Sequence, residues 1–340
     1  MALCEWAPYL SNLYYCVHRD FEREHHAVIV GRRRYERSIG GASDQGHLYR
    51  LRRNTHRLEK GLISRPRRDV FARDYLPETV ESFEALYNGP TARERDDLYA
   101  WAESVLRSYF DAVRPGLNDR IDALRARFHK AAEAPSCEQP RAPYERATAP
   151  LPTTIDHLME LAKRRRSVRW YEQRPVPREA IDQAVKVAGY SPSACNRQPF
   201  EFRVYDDPQM IAQLSNVPMG TKGFSHQFPV FIVIVGKLYA YPFERDRHVI
   251  YIDASLAAMA LQYALEVQGV ATCSINWPDI SSREAMMAER LGLGPDERVV
   301  MCLSAGYPDT TGLVPYSQKK PLNELRSYNQ MAGNPTGAAE

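Results

Sequence analysis

Residues 248–269 most restrict how this chain can fold. In the segment HVIYIDASLAAMALQYALEVQG, apolar residues occupy nearly the whole circumference of a helix. Such a helix must be buried on several sides, because apolar surface left in water carries a free-energy cost. We therefore expect this helix either at the centre of its domain or buried against a second copy of the chain.

Composition and cysteine usage narrow the class of protein. The hydrophobic fraction of 44% and the charged fraction of 26% are those of a soluble globular chain, and 340 residues suffice for one large domain or two smaller ones. The longest apolar run, residues 228–236, is too short to cross a bilayer, and the first ten residues do not form a secretory signal pattern. The six cysteines show neither paired spacing nor a C-x-x-C motif, which indicates reduced thiols. We expect a cytoplasmic protein with no membrane partner and no metal site.

Basic residues are concentrated in one N-terminal segment. Residues 19–74 contain 15 Lys or Arg against 8 Asp or Glu, whereas the whole chain has a net charge of +3. Such a segment could contact nucleic acid, a membrane surface or an anionic small molecule. It could also be a solvated helix face that pairs with the more acidic remainder. We favour the solvated face and expect no nucleic-acid partner, since the interleaved aromatic and basic residues of RNA-binding proteins are missing.

A change in composition divides the chain. Residues 133–154 are rich in Pro and Ala, have no apolar periodicity and are predicted to be a linker. Residues 1–132 are predicted to be a basic, mostly helical extension, and residues 155–330 a domain in which helices and strands alternate. Within these parts, the periodicity predicts helices at residues 93–113 and 117–133, and strands at residues 201–206, 228–236 and 298–308.

Helix-end signals support this division. Thr153 and Thr154 can cap a helix that runs to the arginines at 164–166, and Pro177 and Gly189 occupy the positions these residues prefer at helix ends. Ser281 followed by Glu284 predicts a capping box for a later helix.

Several common sites are excluded by their missing motifs. No G-x-G-x-x-G follows a predicted strand, and no P-loop, G-x-S-x-G or H-E-x-x-H motif occurs. What remains is the cluster KRRRSVRWYE at residues 163–172, in which arginines flank the hydroxyl of Ser167. Guanidinium groups and a hydroxyl suit a phosphate, but the same arginines could merely stabilise the negative end of the helix dipole. The cluster by itself does not decide between these interpretations.

Two motifs in a fixed order carry a family resemblance. RRSVRWYE at residues 165–172 is followed by SPSACNRQPFEFRVY at 191–205, and then by the apolar helix, GVATCSINW, AGYP and QKKPL. This series resembles the nitroreductase family of flavoproteins from about residue 155 to residue 325. The resemblance implies an α+β fold with a mixed sheet flanked by helices. It also implies a homodimer in which FMN lies at the interface and each site contains residues of both chains.

The resemblance implies which residues bind FMN. Arg165 and Ser167 would face the phosphate, and Arg169 would approach the N1/O2 edge of the flavin. The loop at 191–199 would meet the ring, because a side-chain amide can pair with both the donor and the acceptors of the pyrimidine edge. The alternative is that Asn196 and Gln198 only brace this loop. The complete predicted set is Arg165, Arg166, Ser167, Arg169, Pro192, Ser193, Ala194, Asn196, Gln198, Asn216, Ser274, Asn276 and Lys319.

The chain departs from the family pattern at two places. Lys319 stands where the family usually has an arginine, which keeps the charge but loses the planar fork. Asn276 and Trp277 stand where the family often has glycines, so the backbone contact to flavin N5 is in doubt. These departures fall at the cofactor and at the substrate pocket.

The N-terminal motif RRNTHRLEKGL, residues 52–62, lies outside the core resemblance. On a helix, His56, Glu59 and Lys60 share one face, and Gly61 would end the helix. This face could cover the flavin pocket or contact substrate, or it could form a surface ion pair on a docking helix. We favour the ion pair.

Together these features predict an FMN-dependent NAD(P)H oxidoreductase. The expected reaction is ping-pong hydride transfer through flavin N5 to a small planar acceptor, a quinone, a nitroaromatic or a biosynthetic substrate, with no protein side chain as catalyst. One alternative is a flavin-dependent dehydrogenase or oxidase acting on a biosynthetic intermediate. The other is a non-catalytic flavin-binding protein whose basic N-terminal segment binds an anionic partner.

Overall fold

A computed structural model describes residues 9–40, 44–87, 96–132 and 139–331. The N-terminal helices are α1 (Tyr9–His18), α2 (Glu22–Gly40), α3 (Asp44–Leu62), α4 (Leu76–Tyr87), α5 (Asp96–Ala112) and α6 (Asp119–Ala131). The helices of the C-terminal part are α7 (Ile155–Arg164), α8 (Arg178–Gly189), α9 (Pro208–Leu214), α10 (Val249–Val267), α11 (Ser281–Leu291) and the short α12 (Leu322–Leu325). Its strands are β1 (Phe200–Tyr205), β2 (Val230–Lys237), β3 (Ala271–Ile275) and β4 (Glu297–Gly306).

The strands form one sheet in the order β1-β2-β4-β3, and every neighbouring pair is antiparallel. A parallel pairing is added where Ser167 bridges Thr272 at the β3 edge. β2 is buried along nearly its whole length, as its continuous apolar sequence requires. The α+β fold predicted from the sequence is therefore confirmed.

Apolar side chains gather into separate clusters. Helices α3 to α6 share a core of their own, with Phe83, Tyr109 and Phe128 fully buried. In the C-terminal part, α8 and α10 cover one face of the sheet, and α9 and α11 help to cover the other. A further cluster joins α2 and α3 to residues 238–241 and to Ile250 of α10. The N-terminal helices thus pack directly on the sheet domain.

Gly31 allows this close packing. A Cβ atom at this position of α2 would lie 2.9 Å from Cβ of Leu238, which is closer than carbon atoms approach. Any larger residue would push α2 away from residues 238–241. A glycine is needed here because the backbone of α2 lies directly against the backbone of residues 238–239.

α10 is the central helix of the C-terminal part. Its buried residues face α8 and the sheet, and they include the polar residues Asp253, Gln262 and Glu266. Ile252, Leu256 and Val267 are exposed, at 57%, 45% and 72%. Both alternatives drawn from the apolar pattern therefore retain support, since one side of α10 is central and the other is left free for a partner.

The same region is the stretch of the described chain that is apolar and long enough to cross a bilayer, at residues 244–267. Core helices of soluble domains also meet this criterion. Three polar side chains of α10 are buried against the sheet domain, which is the environment of a core helix. The longest apolar run in the sequence, residues 228–236, instead overlaps β2 (Val230–Lys237).

Most predicted elements are present. The strands at 201–206, 228–236 and 298–308 correspond to β1, β2 and β4, the helix at 117–133 is α6, and Thr154 caps α7 as expected. The helix predicted at 93–113 is α5, although residues 93–95 lie outside the described residues, as do residues 133–138 of the predicted linker. The division at 132 and 154 stays a prediction.

Two details differ from the sequence analysis. β3 was not predicted as a strand, because five residues are too few for a clear alternation and its pairing with β4 defines it. The capping box was wrong: Ile280 is the N-cap residue, no side chain caps α11, and Ser281 is its first residue. Glu284 instead accepts a hydrogen bond from Nε1 of Trp277 at 2.5 Å. The hydrogen bond from Trp277 thus replaces the predicted bond between Glu284 and the beginning of its own helix.

Candidate cofactor site

The arginine cluster follows the end of α7. Arg165 is the C-cap residue, and its guanidinium has no hydrogen-bond or ion-pair partner among the described residues. Arg164 instead pairs with Glu266 of α10 at 3.2 Å and is 70% exposed. Arg166 donates to the carbonyl oxygens of Ala162 and Arg165, so it braces the turn. Of the three consecutive arginines, Arg165 is the one whose whole guanidinium is without a partner among the described residues.

Ser167 and Arg169 lie at the edge of the sheet. The parallel bridge between Ser167 and Thr272 brings this segment against β3. Burial raises the pKa of the Cys273 thiol, and the nearby Arg169, the Ser167 hydroxyl and Arg165 partly offset that rise. Arg165, Ser167 and Arg169 therefore all lie in the neighbourhood of Cys273. Two guanidinium groups and a hydroxyl in one neighbourhood are suited to an anion such as a phosphate.

Two glutamines that the sequence analysis missed hold this segment and the neighbouring strand β3, respectively. Oε1 of Gln227 accepts from the backbone N–H of Tyr171 at 3.0 Å, and its Nε2 donates to the carbonyl of Arg169. Oε1 of Gln262, on α10, accepts from the hydroxyls of Thr272 at 3.3 Å and Ser274 at 3.0 Å. A buried polar side chain in an apolar helix such as α10 is the signal that could have identified Gln262.

The predicted amide loop lies near the beginning of α10. The backbone N–H of Ala194 donates to Oδ2 of Asp253 at 2.9 Å, and the hydroxyl of Tyr241 donates to the same oxygen at 3.2 Å. Burial raises the pKa of Asp253. The sequence analysis did not single out Asp253, although an acid within an apolar helix must have a structural or functional reason.

The loop has an unusual backbone. Cys195, Asn196 and Gln198 have φ values of 54°, 50° and 51°. Non-glycine residues adopt this left-handed region at a cost, and a cluster of them is typical of a segment held for function. Oγ of Ser193 stabilises the conformation by accepting from the backbone N–H of Gln198 at 3.1 Å.

The two amides of the loop have different roles. Nε2 of Gln198 donates to the carbonyl of Gly189 at 2.9 Å, and its Oε1 accepts from Arg52 at 2.9 Å. Gln198 therefore braces the loop, as the structural alternative predicted. The side chain of Asn196 has no hydrogen-bond partner among the described residues and keeps its donor and acceptor for a ligand. Pro192 lies on the same loop and is exposed.

Helix α3 of the N-terminal part contacts this loop. Nε of Arg52 donates to the carbonyl oxygen of Asn196 at 2.9 Å, while its Nη2 donates to Gln198. The guanidinium also lies 5.6 Å from the ring centre of Trp101. The planar guanidinium of Arg52, which lies outside the core domain, thus holds two residues of the loop, Asn196 and Gln198. The motif RRNTHRLEKGL was the available signal, but its first arginine was not singled out.

The other residues of that motif have local partners. Nδ1 of His56 lies 3.5 Å from Oε2 of Glu59, and Oε1 of Glu59 accepts from Nε1 of Trp101 at 2.9 Å. Glu59 therefore helps to dock α3 on α5. These contacts agree with the favoured interpretation of an ion pair on a docking helix.

Segment 274–277 lies at the end of β3, and Ser274 and Asn276 are exposed there. Trp277 is turned inward and bonds to Glu284, which lies 3.6 Å from Arg298 and 4.0 Å from Arg23 of α2. The side chain at the position of a frequent family glycine is thus directed into the core. The exposed neighbour Asn276 remains available to a ligand.

Two members of the predicted set lie apart from the others. Asn216 donates to the carbonyl of Ala212 and accepts from the hydroxyl of Ser225 at 2.7 Å, so both ends of its amide are occupied. Lys319 lies on an exposed C-terminal segment, where the described chain places no contact between it and Arg165. Their roles at a flavin stay predictions.

The two main clusters lie at opposite ends of α10. Asp253 holds the amide loop, and Glu266 pairs with Arg164 beside the arginine cluster. Thirteen residues separate these two positions on α10, which is about 20 Å at 1.5 Å per residue. Among the described residues no hydrogen bond or ion pair joins Asn196 to Arg165. Along α10, the predicted ring contacts and phosphate contacts of one chain are thus about 20 Å apart.

The donor set fits FMN chemically. The unpartnered guanidinium of Arg165 and the Ser167 hydroxyl suit a phosphate, and the unpartnered amide of Asn196 suits the edge of a flavin. Among the described residues, no group of three metal-ligating side chains exists.

Comparison with known proteins agrees with the motif order. A sequence model described as the nitroreductase family matches residues 162–222 and 212–307. Iodotyrosine deiodinase 1 of Pongo abelii is 26% identical over 194 residues, which are 49% of this chain and 66% of that protein. Iodotyrosine deiodinase of Nematostella vectensis is 27% identical over 191 residues, 48% of this chain and 71% of that protein. The chain thus spans about two thirds of the curated relatives it matches.

Solved structures are similar over the same region. An FMN-dependent nitroreductase from Clostridium difficile R20291 shares 24% identity, covers 51% of this chain and 99% of its own, and has a TM-score of 0.44. A nitroreductase family protein from Streptococcus pneumoniae TIGR4 shares 21% identity over 50% of this chain and 99% of its own, also with a TM-score of 0.44. Residues 162–307 therefore form a region of the nitroreductase family, and a helical N-terminal part precedes this region in the chain.

Proposed function

We propose that the protein is an FMN-dependent oxidoreductase that oxidises NAD(P)H and reduces a small planar acceptor. The observation that carries the proposal is the set of donors at Arg165 and Asn196 that have no partner among the described residues, in a chain whose residues 162–307 match the nitroreductase family. When bound, FMN would supply hydride transfer at its N5 atom. The acceptor would be a quinone, a nitroaromatic or a biosynthetic substrate.

The protein's own residues bind and orient. Arg165 donates to the phosphate in a planar fork, and Ser167 adds a hydroxyl donor. Arg169, beside Ser167, places a fixed cation near the pyrimidine edge, where negative charge is stabilised. Asn196 offers a donor and an acceptor to the same edge. No side chain has to act as a general base.

We propose that the complete site forms in a homodimer. The arginine cluster and the amide loop are separated along α10, so a ring contacted by Arg169 of one chain would meet Asn196 of the other. Apolar side chains left exposed on α10 support a second copy there, because Ile252 and Leu256 are costly to leave in water. An apolar groove of about 490 Å³ between α7, α8 and α10, lined in part by Leu161 and Tyr263, continues this surface.

The visible absorption spectrum tests the proposal. The purified protein is recorded without oxygen, before and after addition of NADH or NADPH. A flavin spectrum that bleaches with one nucleotide is the expected result. A flavin spectrum that resists both nucleotides would favour a dehydrogenase or an oxidase with another donor. A protein that stays colourless after reconstitution with FMN would overturn the proposal.

A second candidate is reductive dehalogenation of an aromatic substrate. It is supported by the match to relatives named iodotyrosine deiodinase, at 26% and 27% identity. Release of iodide from iodotyrosine under reducing conditions would favour this candidate. Reduction of quinones and nitroaromatics without iodide release would favour the first. The described cysteines, Cys16, Cys195, Cys273 and Cys302, are free thiols, which supports our proposal of a cytoplasmic location.

A further inference from the structure

One side of α3 carries a continuous row of basic side chains. Positions 52, 53, 56, 57 and 60 recur at helical spacing, and we refer to Arg52, Arg53, His56, Arg57 and Lys60 as the cationic face. The opposite side of the same turns is fully buried, at Leu51, Asn54, Thr55 and Leu58. The cationic face is therefore the side of α3 that remains accessible, with side-chain exposures of 24% for Arg53 and 33% for His56.

Few acidic groups neutralise this face. Nη1 of Arg53 lies 3.9 Å from the carboxylate of Glu78, which also accepts from Nδ2 of Asn54 at 2.9 Å. Within the described part of the chain, Arg57 contacts the amide oxygen of Asn54 at 3.4 Å and the ring of Tyr75, whose centre lies 3.6 Å from its guanidinium. Burial and the charge of Arg53 lower the pKa of Arg57. Among the described residues, the one carboxylate that pairs with either of these two partly buried guanidinium groups is that of Glu78, and it contacts Arg53 alone, which leaves a charge that an anion would stabilise.

A buried cation lies near this pair. Arg197 is 5% exposed, its Nε is buried without a hydrogen-bond partner, and its guanidinium lies 4.7 Å from the ring centre of Tyr241. The phenol of Tyr35 on α2 is close enough to both Arg53 and Arg197 for each to lower its pKa against the effect of burial. Positive potential therefore extends from the cationic face to the base of the amide loop.

The cationic face borders the proposed flavin site. Arg52 is bonded to Asn196 and Gln198, and Arg53 and Arg57 follow it on the same helix. A molecule lying on a ring held by Asn196 would extend toward the next turns of α3. Since Arg52 is occupied by the loop, Arg53 and Arg57 are the arginines left for such a molecule.

We propose that Arg53 and Arg57 bind the carboxylate or phosphate group of the electron acceptor, so the natural acceptor is an anion. This inference rests on the proposed function, because it concerns the acceptor of that reaction. The planar fork of each arginine matches two oxygens of either group. The N-terminal extension then determines substrate specificity as well as packing.

A pair of acceptors that differ in charge tests the proposal. The values of kcat/KM are measured for 4-nitrobenzoate and for its neutral analogue 4-nitrobenzamide, in the wild type and in the variants Arg53→Gln and Arg57→Gln. The ratio of the two values should fall by about tenfold for each arginine removed, the usual effect of one lost charge-assisted contact. Arg33→Gln, on the exposed side of α2, is the matched control and should keep the wild-type ratio. An unchanged ratio in both test variants would overturn the proposal.

A binding measurement separates this inference from the proposed function. The affinity for inorganic phosphate and for benzoate is measured by thermal shift in protein that carries Arg165→Gln, so that the predicted phosphate site of FMN does not contribute. Each test variant should weaken binding of one or both anions about tenfold, and the stronger anion identifies the acidic group. Anion binding that needs Arg53 and Arg57, together with a wild-type protein that takes up no flavin, would refute the proposed function and keep the anion site. Flavin-dependent turnover without such binding would refute the anion site alone.

Folding of the variants is checked by circular dichroism. Where a glutamine variant does not fold, Arg57→Lys replaces it, because lysine keeps the charge and loses the fork. The ratio for Arg57→Lys should then lie between those of the wild type and of a full charge loss. A wild-type ratio for a folded Arg57→Lys would overturn the role assigned to its fork.

Discussion

Single residues of the arginine cluster have separate roles that their sequence positions do not reveal. Arg164, Arg165 and Arg166 are consecutive, yet Arg164 pairs with Glu266, Arg166 bonds to backbone carbonyls and Arg165 has free donors. The reason is the end of α7: Arg164 is its last residue, Arg165 is the C-cap residue with a non-helical ψ of 117°, and Arg166 lies beyond the helix, so the three side chains leave the backbone in different surroundings. The three arginines therefore have three roles: Arg164 forms a surface ion pair, Arg166 braces the turn, and Arg165 is the candidate ligand contact.

Arg165→Gln should weaken FMN binding, because it removes a charge-assisted fork to the phosphate. A loss of about 2 kcal/mol, roughly 30-fold in Kd, is expected. The measurement is titration of apoprotein with FMN, followed by quenching of flavin fluorescence. Arg164→Gln is the matched control and should bind FMN like the wild type, since that side chain is 70% exposed and pairs elsewhere. Equal Kd values for the two variants would remove Arg165 from the site.

Asp253→Asn should change how stability depends on pH. Burial raises the pKa of Asp253, so the native state holds this proton more tightly than the unfolded chain does. The contribution of this group to the free energy of unfolding is present below the unfolded pKa of about 4 and is lost as pH rises through the folded pKa. The asparagine oxygen can still accept from Ala194. As the pH rises from about 4 through the folded pKa of Asp253, the stability of the variant should therefore increase relative to that of the wild type. The free energy of unfolding is measured with urea at a series of pH values. A pH-independent difference between the two proteins would contradict the assignment.

At the scale of elements, α3 is the helix that couples the extension to the core domain. Its apolar side completes the N-terminal core, whereas its basic side reaches the amide loop. The loop has three residues at positive φ, so it needs support from outside, and Arg52 and Asp253 supply it from two helices. The helical extension is therefore part of the proposed site.

Arg52→Lys should loosen the loop without unfolding the protein. Lysine can donate to either Asn196 or Gln198 but cannot reproduce the fork that bonds both. We expect FMN affinity to fall about tenfold, in line with the loss of one hydrogen bond from a charged donor. Flavin titration and thermal unfolding are measured together, with Arg37→Lys on the exposed side of α2 as the control. A variant with wild-type affinity would show that the loop holds its conformation without the fork.

At the scale of the whole molecule, the proposed homodimer would account both for the exposed side of α10 and for the separation between the arginine cluster and the amide loop. Leu256→Asp should abolish assembly, since it places a charge in the proposed interface at a site that is 45% exposed in the single chain. Light scattering after size-exclusion chromatography should give a monomer, and the visible flavin absorption should be lost with it. Ile63→Asp, at a site that is 60% exposed in the N-terminal part, is the control. A monomeric Leu256→Asp that keeps FMN would place the complete site within one chain.

The sequence by itself determined the local features and the family. The order of RRSVRWYE and SPSACNRQPFEFRVY, the periodicity of α6 and the apolar run of β2 are properties of neighbouring residues, and they predicted the family, the α+β class and most elements. The helix cap predicted at Thr154 is present, because its partner is close in sequence. The capping box predicted at Ser281 is not formed, because Glu284 interacts with Trp277 and Arg298 instead. Local patterns are reliable when no tertiary contact competes with them.

Only the tertiary structure decided which side chains are occupied. Gln198 and Asn196 both carry a side-chain amide in the same loop. The amide of Gln198 is hydrogen-bonded to Arg52 and to the carbonyl of Gly189, whereas that of Asn196 remains available to a ligand. Gln262, Gln227 and Asp253 support the site from positions distant in sequence. The placement of the two clusters at opposite ends of α10 also depends on packing. Hydrogen bonds between residues far apart along the chain are decided by how helices dock on the sheet, which no local pattern encodes.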